Sequence, residues 1–426
     1  MDHRPPLSPH PKDQTLALAK AELAAGRLDR ASTLCQRLLE ADTDDVGVFG
    51  LAGVIALRAG RDELAMALLG RAVVLEPDRA EHHDNLGLAL AVAGRPGEAV
   101  GCHRQAVRLS PDDPVFQRNL ALTLNRLGRR REAGTILSGL LARYPAFPGA
   151  LSGLASVRLP GDDYVSVLAQ LHDILRPATY VEIGVETGAT LALARPPTLA
   201  VGIDPALRVT HEFITATRLF GTTSDDFFAG YDLTAELNGQ RVELAFIDGL
   251  HTFDQALKDF INLERHAAPS AVMVFHDVLP LDAISSARVR RSGFWTGDTW
   301  KILPALRRHR PDLELGMVPA APSGLLVVRG LDPASSVLPQ VYDRMVAELM
   351  PLTFADWQAR NREFSPVTIP NRRAAVAEYI GRGNRLRLPG CGRFVVHLAM
   401  GRACRRSFDR AGSRGAQPNG VRGESA

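Results

Sequence analysis

Five ionisable side chains stand within or just after short apolar runs between residues 180 and 277. Runs at 199–203, 242–247 and 271–275 end in Asp204, Asp248 and the pair His276-Asp277, and a fourth run, 180–183, carries Glu182. Compact apolar runs rich in β-branched residues and bounded by turn residues read as buried strands. Polar residues at the ends of several strands describe a site, because open α/β sheets bind ligands beyond the carboxyl ends of their strands. Asp248, His276 and Asp277 together could hold a divalent metal, since two carboxylates and an imidazole suit magnesium or manganese. A cation bound to a hydroxyl lowers its pKa, so the chemistry on offer is hydroxyl activation. The structural alternatives are that Asp248 caps the helix starting near Thr252 and that His276 is a hydrogen-bonded core histidine.

The elements that position these groups can be read in order. In 180–193, YVEIGVETGATLAL, Gly184 and Gly188 bracket three residues after the first strand. Glycine permits positive φ and close approach of the backbone to a ligand. Asp204 falls roughly 20 residues beyond the first glycine, where nucleotide-binding α/β units place the acid that holds ribose hydroxyls. The pattern predicts a helix at 163–175, the start of a helix after Gly188, another near 209–217, and a short strand at 218–222 leading into Thr223-Ser224-Asp225-Asp226. It further predicts helices at 252–266 and 299–308, the second after an Arg- and Ser-rich loop. Strands at 313–318 and 324–329 close the region as a hairpin. Strands alternating with helices in this way predict an α/β sheet.

The first third of the chain repeats. Gly26, Gly60, Gly94 and Gly128 are spaced by 34, each is followed by an arginine, and Ala31, Ala65, Ala99 and Ala133 keep the interval. Pro77, Pro111 and Pro145 do the same, with Thr43 in that phase of the first unit. Four units follow, at about 12–45, 46–79, 80–113 and 114–147. The array resembles the tetratricopeptide repeat, whose period is 34. Such arrays bury the apolar face of each unit on its neighbour and serve as docking surfaces. Asn85 and Asn119 share one phase, either as a short ladder for a peptide backbone or as solvated polar positions.

The second half also resembles a known family. VEIGVETGATL, GIDP, LAFIDGLHTFDQALKDF, VMVFHDVLP and GDTWKILPALR are similar to the class I S-adenosylmethionine-dependent methyltransferases, and most of all to bacterial small-molecule and sugar O-methyltransferases with an IDGxH motif. The resemblance spans about 160–331. The turn Gly-x-x-x-Gly lacks the GxGxxG of dinucleotide binders, and the closing hairpin suits this family. The resemblance implies that Glu182, Gly184 and Gly188 border the methionine end of the cofactor, that Asp204 accepts from the ribose hydroxyls, and that Ser224 and Asp225 contact adenine. It also implies a general base at His251, three residues after Asp248; an unperturbed imidazole pKa near 6.5 would suit that work. Asp248 and His251 are the expected catalytic pair, and Asp248, His276 and Asp277 the expected metal ligands. Trp300 and Lys301 either border the acceptor pocket or pack, and Phe294 and Trp295 could form a lid.

Composition sets the outer bounds. A chain of 426 residues, 46% hydrophobic and 23% charged, with a formal charge of +3, reads as a globular chain of two or three domains. The near-neutral balance gives no case for nucleic acid. The start lacks the apolar core of a signal peptide, no run reaches the ~18–20 apolar residues of a membrane span, and four scattered cysteines suit a reduced compartment; a cytoplasmic protein is the expectation. The expected organisation is a disordered 1–13, a tetratricopeptide domain at 14–148, a linker at 149–163, a Rossmann-like class I methyltransferase domain at 164–331, a helical extension at 332–388 that packs on the sheet or mediates a homo-oligomer, and a disordered Gly/Arg-rich tail at 389–426. The fold class is thus an α-solenoid followed by an α/β sheet with a terminal antiparallel hairpin. The function expected is methyl transfer from S-adenosylmethionine to a hydroxyl of a sugar, glycan or small molecule, while the repeats hold a protein or peptide. Two alternatives stay open: a scaffold whose sheet domain is weakly active or inactive, and methylation of a protein held by the repeats.

Overall fold

The computed structural model describes residues 11–41, 45–145, 147–364 and 366–381 of the chain. The expected disorder of 389–426 and of most of 1–13 lies outside these residues, although a helix already begins at Pro11.

The repeats form four helix pairs: α1 (Pro11–Ala24) with α2 (Leu28–Ala41), α3 (Val46–Arg58) with α4 (Asp62–Leu75), α5 (Ala80–Val92) with α6 (Pro96–Leu109), and α7 (Pro114–Arg126) with α8 (Arg130–Arg143). The period has a backbone cause. Gly26, Gly60, Gly94 and Gly128 take φ of +74°, +69°, +75° and +75°, and the next residue's N–H reaches five residues back, as in Arg61 to the Ala56 carbonyl at 2.9 Å. This is the left-handed glycine stop of a helix, which a side chain would strain. Small residues let the helices of a pair close up: a Cβ on Gly87 would lie 2.7 Å from the His103 ring, and one on Gly53 2.5 Å from Leu69. Asn119 is neither solvated nor open to a peptide. It is buried, and its amide donates to Asp84 Oδ2 at 2.8 Å, tying α7 to α5.

The expected linker at 149–163 is mostly helix. α9 (Pro148–Arg158) buries Ala150, Leu151, Leu154 and Ala155, and Ala150 and Leu154 pack with Leu137 and Leu140 of α8. It closes the apolar end of the array, which a loop could not do.

The second half is an eight-stranded sheet among the described residues, ordered β3-β2-β1-β4-β5-β7-β6-β8. The strands are β1 (Thr179–Ile183), β2 (Leu199–Ile203), β3 (Thr217–Phe220), β4 (Val242–Ile247), β5 (Ala267–Phe275), β6 (Glu314–Val318), β7 (Leu325–Arg329) and β8 (Val367–Thr368). β1 to β5 are parallel, and β7 runs antiparallel to both β5 and β6. Alternation along each strand separates two cores. Val181, Ile183, Ile247, Met273 and Phe275 face α13 (Phe253–Arg265) and α14 (Ile302–His309). Tyr180, Phe246, Val272 and Val274 face α10 (Tyr164–Leu175) and α17 (Arg373–Gly381). The short helices α11 (Ser224–Gly230) and α12 (Leu233–Glu236) follow β3.

Two expected helices are absent. After Gly188 there is a single 3-10 turn, Leu191–Leu193, because Pro196 and Pro197 lack N–H donors and restrict the residues before them. The stretch 209–216 is irregular; its backbone is pinned to the glycine turn instead, with Arg208 N–H on Glu186 O and Thr210 N–H on Thr187 O at 2.9 and 3.0 Å. The extension packs on the sheet domain. α15 (Val337–Leu349) and α16 (Phe354–Phe364) add Leu338, Met345, Trp357 and Phe364 to the first core, and β8 extends the sheet beside β6. Among the described residues no helix is long and apolar enough to cross a membrane.

Candidate active site

Strand order reverses between β1 and β4, and the crevice beyond their carboxyl ends is where such sheets bind ligands. Gly184 and Asp248 meet there. Gly184 has φ +92°, and a Cβ on it would come 2.1 Å from the Asp248 carbonyl oxygen, so its lack of a side chain serves strand packing. Gly188, at φ +82°, lies against the Phe213 ring. Asp204, at the end of β2, braces the turn between them: Oδ2 accepts from Val185 N and Glu186 N at 2.9 and 2.8 Å, and Oδ1 from Ala206 N at 2.6 Å. Of about four acceptor positions on a carboxylate, one remains for a ligand.

Glu182 does not border an open cleft. It is fully buried, and its two oxygens accept from Tyr180 OH at 2.5 Å and Thr190 Oγ1 at 2.7 Å. Burial lifts its carboxyl to about 8, even though both hydrogen bonds pull the other way. Ser224 is buried and donates to Asp259 Oδ1 at 2.6 Å, while Asp225 is exposed and receives Gln255 and Lys258.

Beside the crevice, five side chains close a ring. Asp248 Oδ1 lies 3.1 Å from His276 Nδ1. His276 Nε2 lies 3.0 Å from Ser323 Oγ, which donates to Asp277 Oδ1 at 2.5 Å. Asp277 Oδ2 is 2.7 Å from His251 Nδ1, and His251 Nε2 is 3.5 Å from Asp248 Oδ1. His251 and Asp277 both take left-handed backbone, φ +58° and +60°, which costs of order 1–3 kcal/mol per residue and clusters at functional sites. Strand parity explains the split between the two histidines. His276 continues the face of Val274 and lies under α10, stacked on the Tyr164 ring with centroids 4.2 Å apart. Asp277 then turns in its left-handed conformation toward His251.

The geometry groups a different set from the expected metal ligands Asp248, His276 and Asp277. Both His276 nitrogens are spent inside the ring. The ligating atoms that lie within 4.8 Å of one another belong to Asp248, His251 and Asp277. The hydrogen-bond inventory also fixes protons. Ser323 has one hydroxyl proton and gives it to Asp277, so His276 Nε2 must donate to Ser323 while Nδ1 donates to Asp248. Burial alone would lower the His276 pKa, but the Asp248 and Asp277 charges raise it above the ordinary value. For Asp277, burial would raise the carboxyl; the charges of His276 and His251 and the short contacts to His251 and Ser323 hold it below the usual range.

His251 departs from its expected pKa near 6.5. Burial would lower it, yet the contact with Asp277 and the charges of Asp277 and Asp248 win and lift it to about 9. His251 therefore holds its proton to higher pH than a free imidazole does. Its Nδ1–H donates to the Trp295 carbonyl at 3.1 Å, and the Trp295 indole stacks on it at 5.4 Å with planes 10° apart. Trp295 is thus a wall of the site. Trp300 and Lys301 belong to the interior: Trp300 packs on Trp357 and Phe364, and Lys301 is buried on Asp298 Oδ2 and Met350 O.

Three contributors escaped the sequence reading. Ser323 sits on the β6–β7 loop, and Tyr164 on the first turn of α10. Asp298 Oδ1 accepts from Phe253 N at 2.9 Å, so it, and not Asp248, caps α13. Asp298 N–H also holds the His251 carbonyl at 3.2 Å. Capping acids are a recognisable type, but a cap supplied from another loop leaves no local signal.

Residues 181–278, which include Asp248, His251, His276 and Asp277, match the family model of a methyltransferase domain. Among solved structures, the chain is similar to a thermophilic TPR protein of Thermus thermophilus, at 23% identity and a TM-score of 0.32 over 35% of this chain and 81% of that one. It is also similar to PilW, described as a type IV pilus biogenesis factor, at 20% identity and 0.33 over 35% and 70%. YrrB, described as a TPR protein with an unusual peptide-binding site, gives 18% and 0.30 over 34% and 74%. No curated protein matches the chain.

Proposed function

We propose that the methyltransferase domain uses S-adenosylmethionine and transfers its methyl group to a hydroxyl of a sugar, glycan or related small molecule, in the manner of the IDGxH group, while the repeats dock a protein or peptide. The observation that carries this reading is the cluster of Asp248, His251 and Asp277 at the switch point, beside the glycine turn. S-adenosylmethionine supplies an electrophilic methyl on a sulfonium. The residues fit it in position: the turn 184–188 and the free acceptor site on Asp204 lie together at the rim, with exposed Asp225 beyond β3. Glu182 acts from below, as a neutral hydrogen-bonded support.

The division of labour follows from the charges. Asp248, which meets the ring through Oδ1, takes the proton of the acceptor hydroxyl on Oδ2 as its oxygen gains the methyl. The His251 imidazolium faces the oxygen as it sheds that proton and stabilises the negative charge. Trp295 shields the pair from water. A second reading is favoured by the spacing of the ligating atoms: Asp248, Asp277 and a deprotonated His251 would hold magnesium or manganese, which would lower the acceptor's pKa.

Calorimetric titration with S-adenosylhomocysteine, with and without magnesium, tests the reading. Micromolar binding is expected, followed by a screen of sugar and glycan acceptors. Absence of binding in both conditions would move the function to the repeats, as a scaffold.

A further inference from the structure

We infer that Ser323 is a positioning residue of the methyl-transfer site, and that the β6–β7 loop is therefore a working part of it. The functional side of this inference rests on the reading above; its geometry does not. Ser323 is fully buried, and its hydroxyl joins the two halves of the ring, at 2.5 Å to Asp277 Oδ1 and 3.0 Å to His276 Nε2. The loop is fixed against the strand that it serves. Ser323 O accepts from Leu279 N at 2.7 Å, just beyond Asp277, and a Cβ on Gly324 would lie 2.6 Å from the Leu279 side chain. On its other side, Ala321 O accepts from Tyr164 N at 3.0 Å, and the Tyr164 ring covers His276.

The consequence is directional. Asp277 sits in left-handed backbone at φ +60°, where no regular element dictates the course of its side chain. The hydroxyl takes Oδ1 and so turns Oδ2 toward His251. It also takes the second N–H of His276, which keeps that ring flat under Tyr164 with its first N–H on Asp248. Without the hydroxyl, Asp277 Oδ1 and His276 Nε2–H are both buried and unpartnered, and both aspartates lose their fixed orientation.

The test needs neither cofactor nor acceptor. In protein labelled with 15N-histidine, the hydrogen-bonded ring N–H protons of His276 and His251 should appear downfield and exchange slowly with water, against the background of 12 histidines. Ser323→Ala should abolish the protected His276 Nε2–H signal and shift that of His251, and Ser323→Thr should keep both. Should Ser323→Ala fail to fold, Ser323→Cys, with nearly the same size and a weak donor, should show the same signals with faster exchange. Once an acceptor is in hand, Ser323→Ala should lower kcat ~10-fold or more, as for other orienting partners, at unchanged KM for S-adenosylmethionine, with Ser323→Thr restoring it. Wild-type His276 and His251 signals in Ser323→Ala would overturn the inference and leave Ser323 as packing. Failure of the wild type to bind S-adenosylhomocysteine would instead overturn the methyl-transfer reading while leaving the resonance outcome readable.

Discussion

Asp204 Oδ2 and the backbone N–H of Glu186 lie 2.8 Å apart, which joins the end of β2 to the middle of the glycine turn after β1. Glu186 has φ +46°, so the carboxylate also holds a non-glycine residue in a left-handed conformation. An acid placed to bind ribose by its spacing in sequence thus has a prior duty within the protein.

Asp204→Ala should for that reason lower both stability and cofactor affinity. It removes three charge-assisted hydrogen bonds to backbone, each worth about 1.5–3 kcal/mol. Urea unfolding and calorimetry with S-adenosylhomocysteine measure the two effects separately. A large loss of stability with unchanged affinity would make Asp204 a brace alone.

Glu182→Gln gives a prediction in pH. The native carboxyl, lifted to about 8 from 4.5 by burial, holds its proton where the unfolded chain has lost it. Its contribution to stability is therefore complete below pH 4.5 and is lost as pH rises through about 8, at up to ~1.4 kcal/mol per pH unit. The glutamine variant lacks this slope, so its stability relative to wild type should improve steadily between pH 5 and 8. Parallel curves for the two proteins would show Glu182 to be ionised throughout.

His172 works in the opposite pH range. It is buried on α10 beside Tyr180, neither ring nitrogen has a hydrogen-bond partner, and burial followed by the Arg195 charge lowers its pKa to about 4. The unfolded chain binds a proton first as pH falls, so stability drops from pH 6.5 down to about 4, by about 3 kcal/mol in total. His172→Leu should flatten that segment of the pH profile and leave stability at pH 7 equal or higher. A steeper acid loss in the variant would contradict the burial argument.

Manganese titration followed by electron paramagnetic resonance tests the second reading of the site. Binding at Asp248, His251 and Asp277 should weaken at least ~10-fold in Asp277→Asn, whereas Asp225→Asn, at an exposed carboxylate, should bind as wild type does. Equal binding in all three proteins would place the ion elsewhere and leave Asp248 as the proton acceptor.

The parts legible in the sequence are those with a local cause. The repeats show because a left-handed helix stop demands glycine at each return of the period. The strands β2, β4 and β5 show because each apolar run is followed by an ionisable residue at the rim, Asp204, Asp248 and His276. The two lost helices also had local causes, Pro196-Pro197 in one case and a threonine-rich stretch tied to the glycine turn in the other. The ring was only half legible. Asp248, His251, His276 and Asp277 announce themselves by type, but which histidine faces the crevice depends on strand parity and a left-handed turn. Ser323, Asp298 and Tyr164 come from distant loops or a preceding helix, and nothing near them in the chain marks their partners.

The helix at Pro148–Arg158 decides where this chain could be divided. Its inner face seals the last repeat, and at its far end Arg158 donates to the Leu281 carbonyl at 2.9 Å, in the loop that goes on to Trp295. A gene split before residue 148 would hand the sheet half an extra helix and leave the repeats with a bare apolar end. Split after residue 159, each half keeps a finished surface. Only the second cut separates Arg158 from the Leu281 carbonyl, so comparing the two recombined pairs of fragments would reveal whether the wall over His251 is steadier when Arg158 belongs to the same molecule.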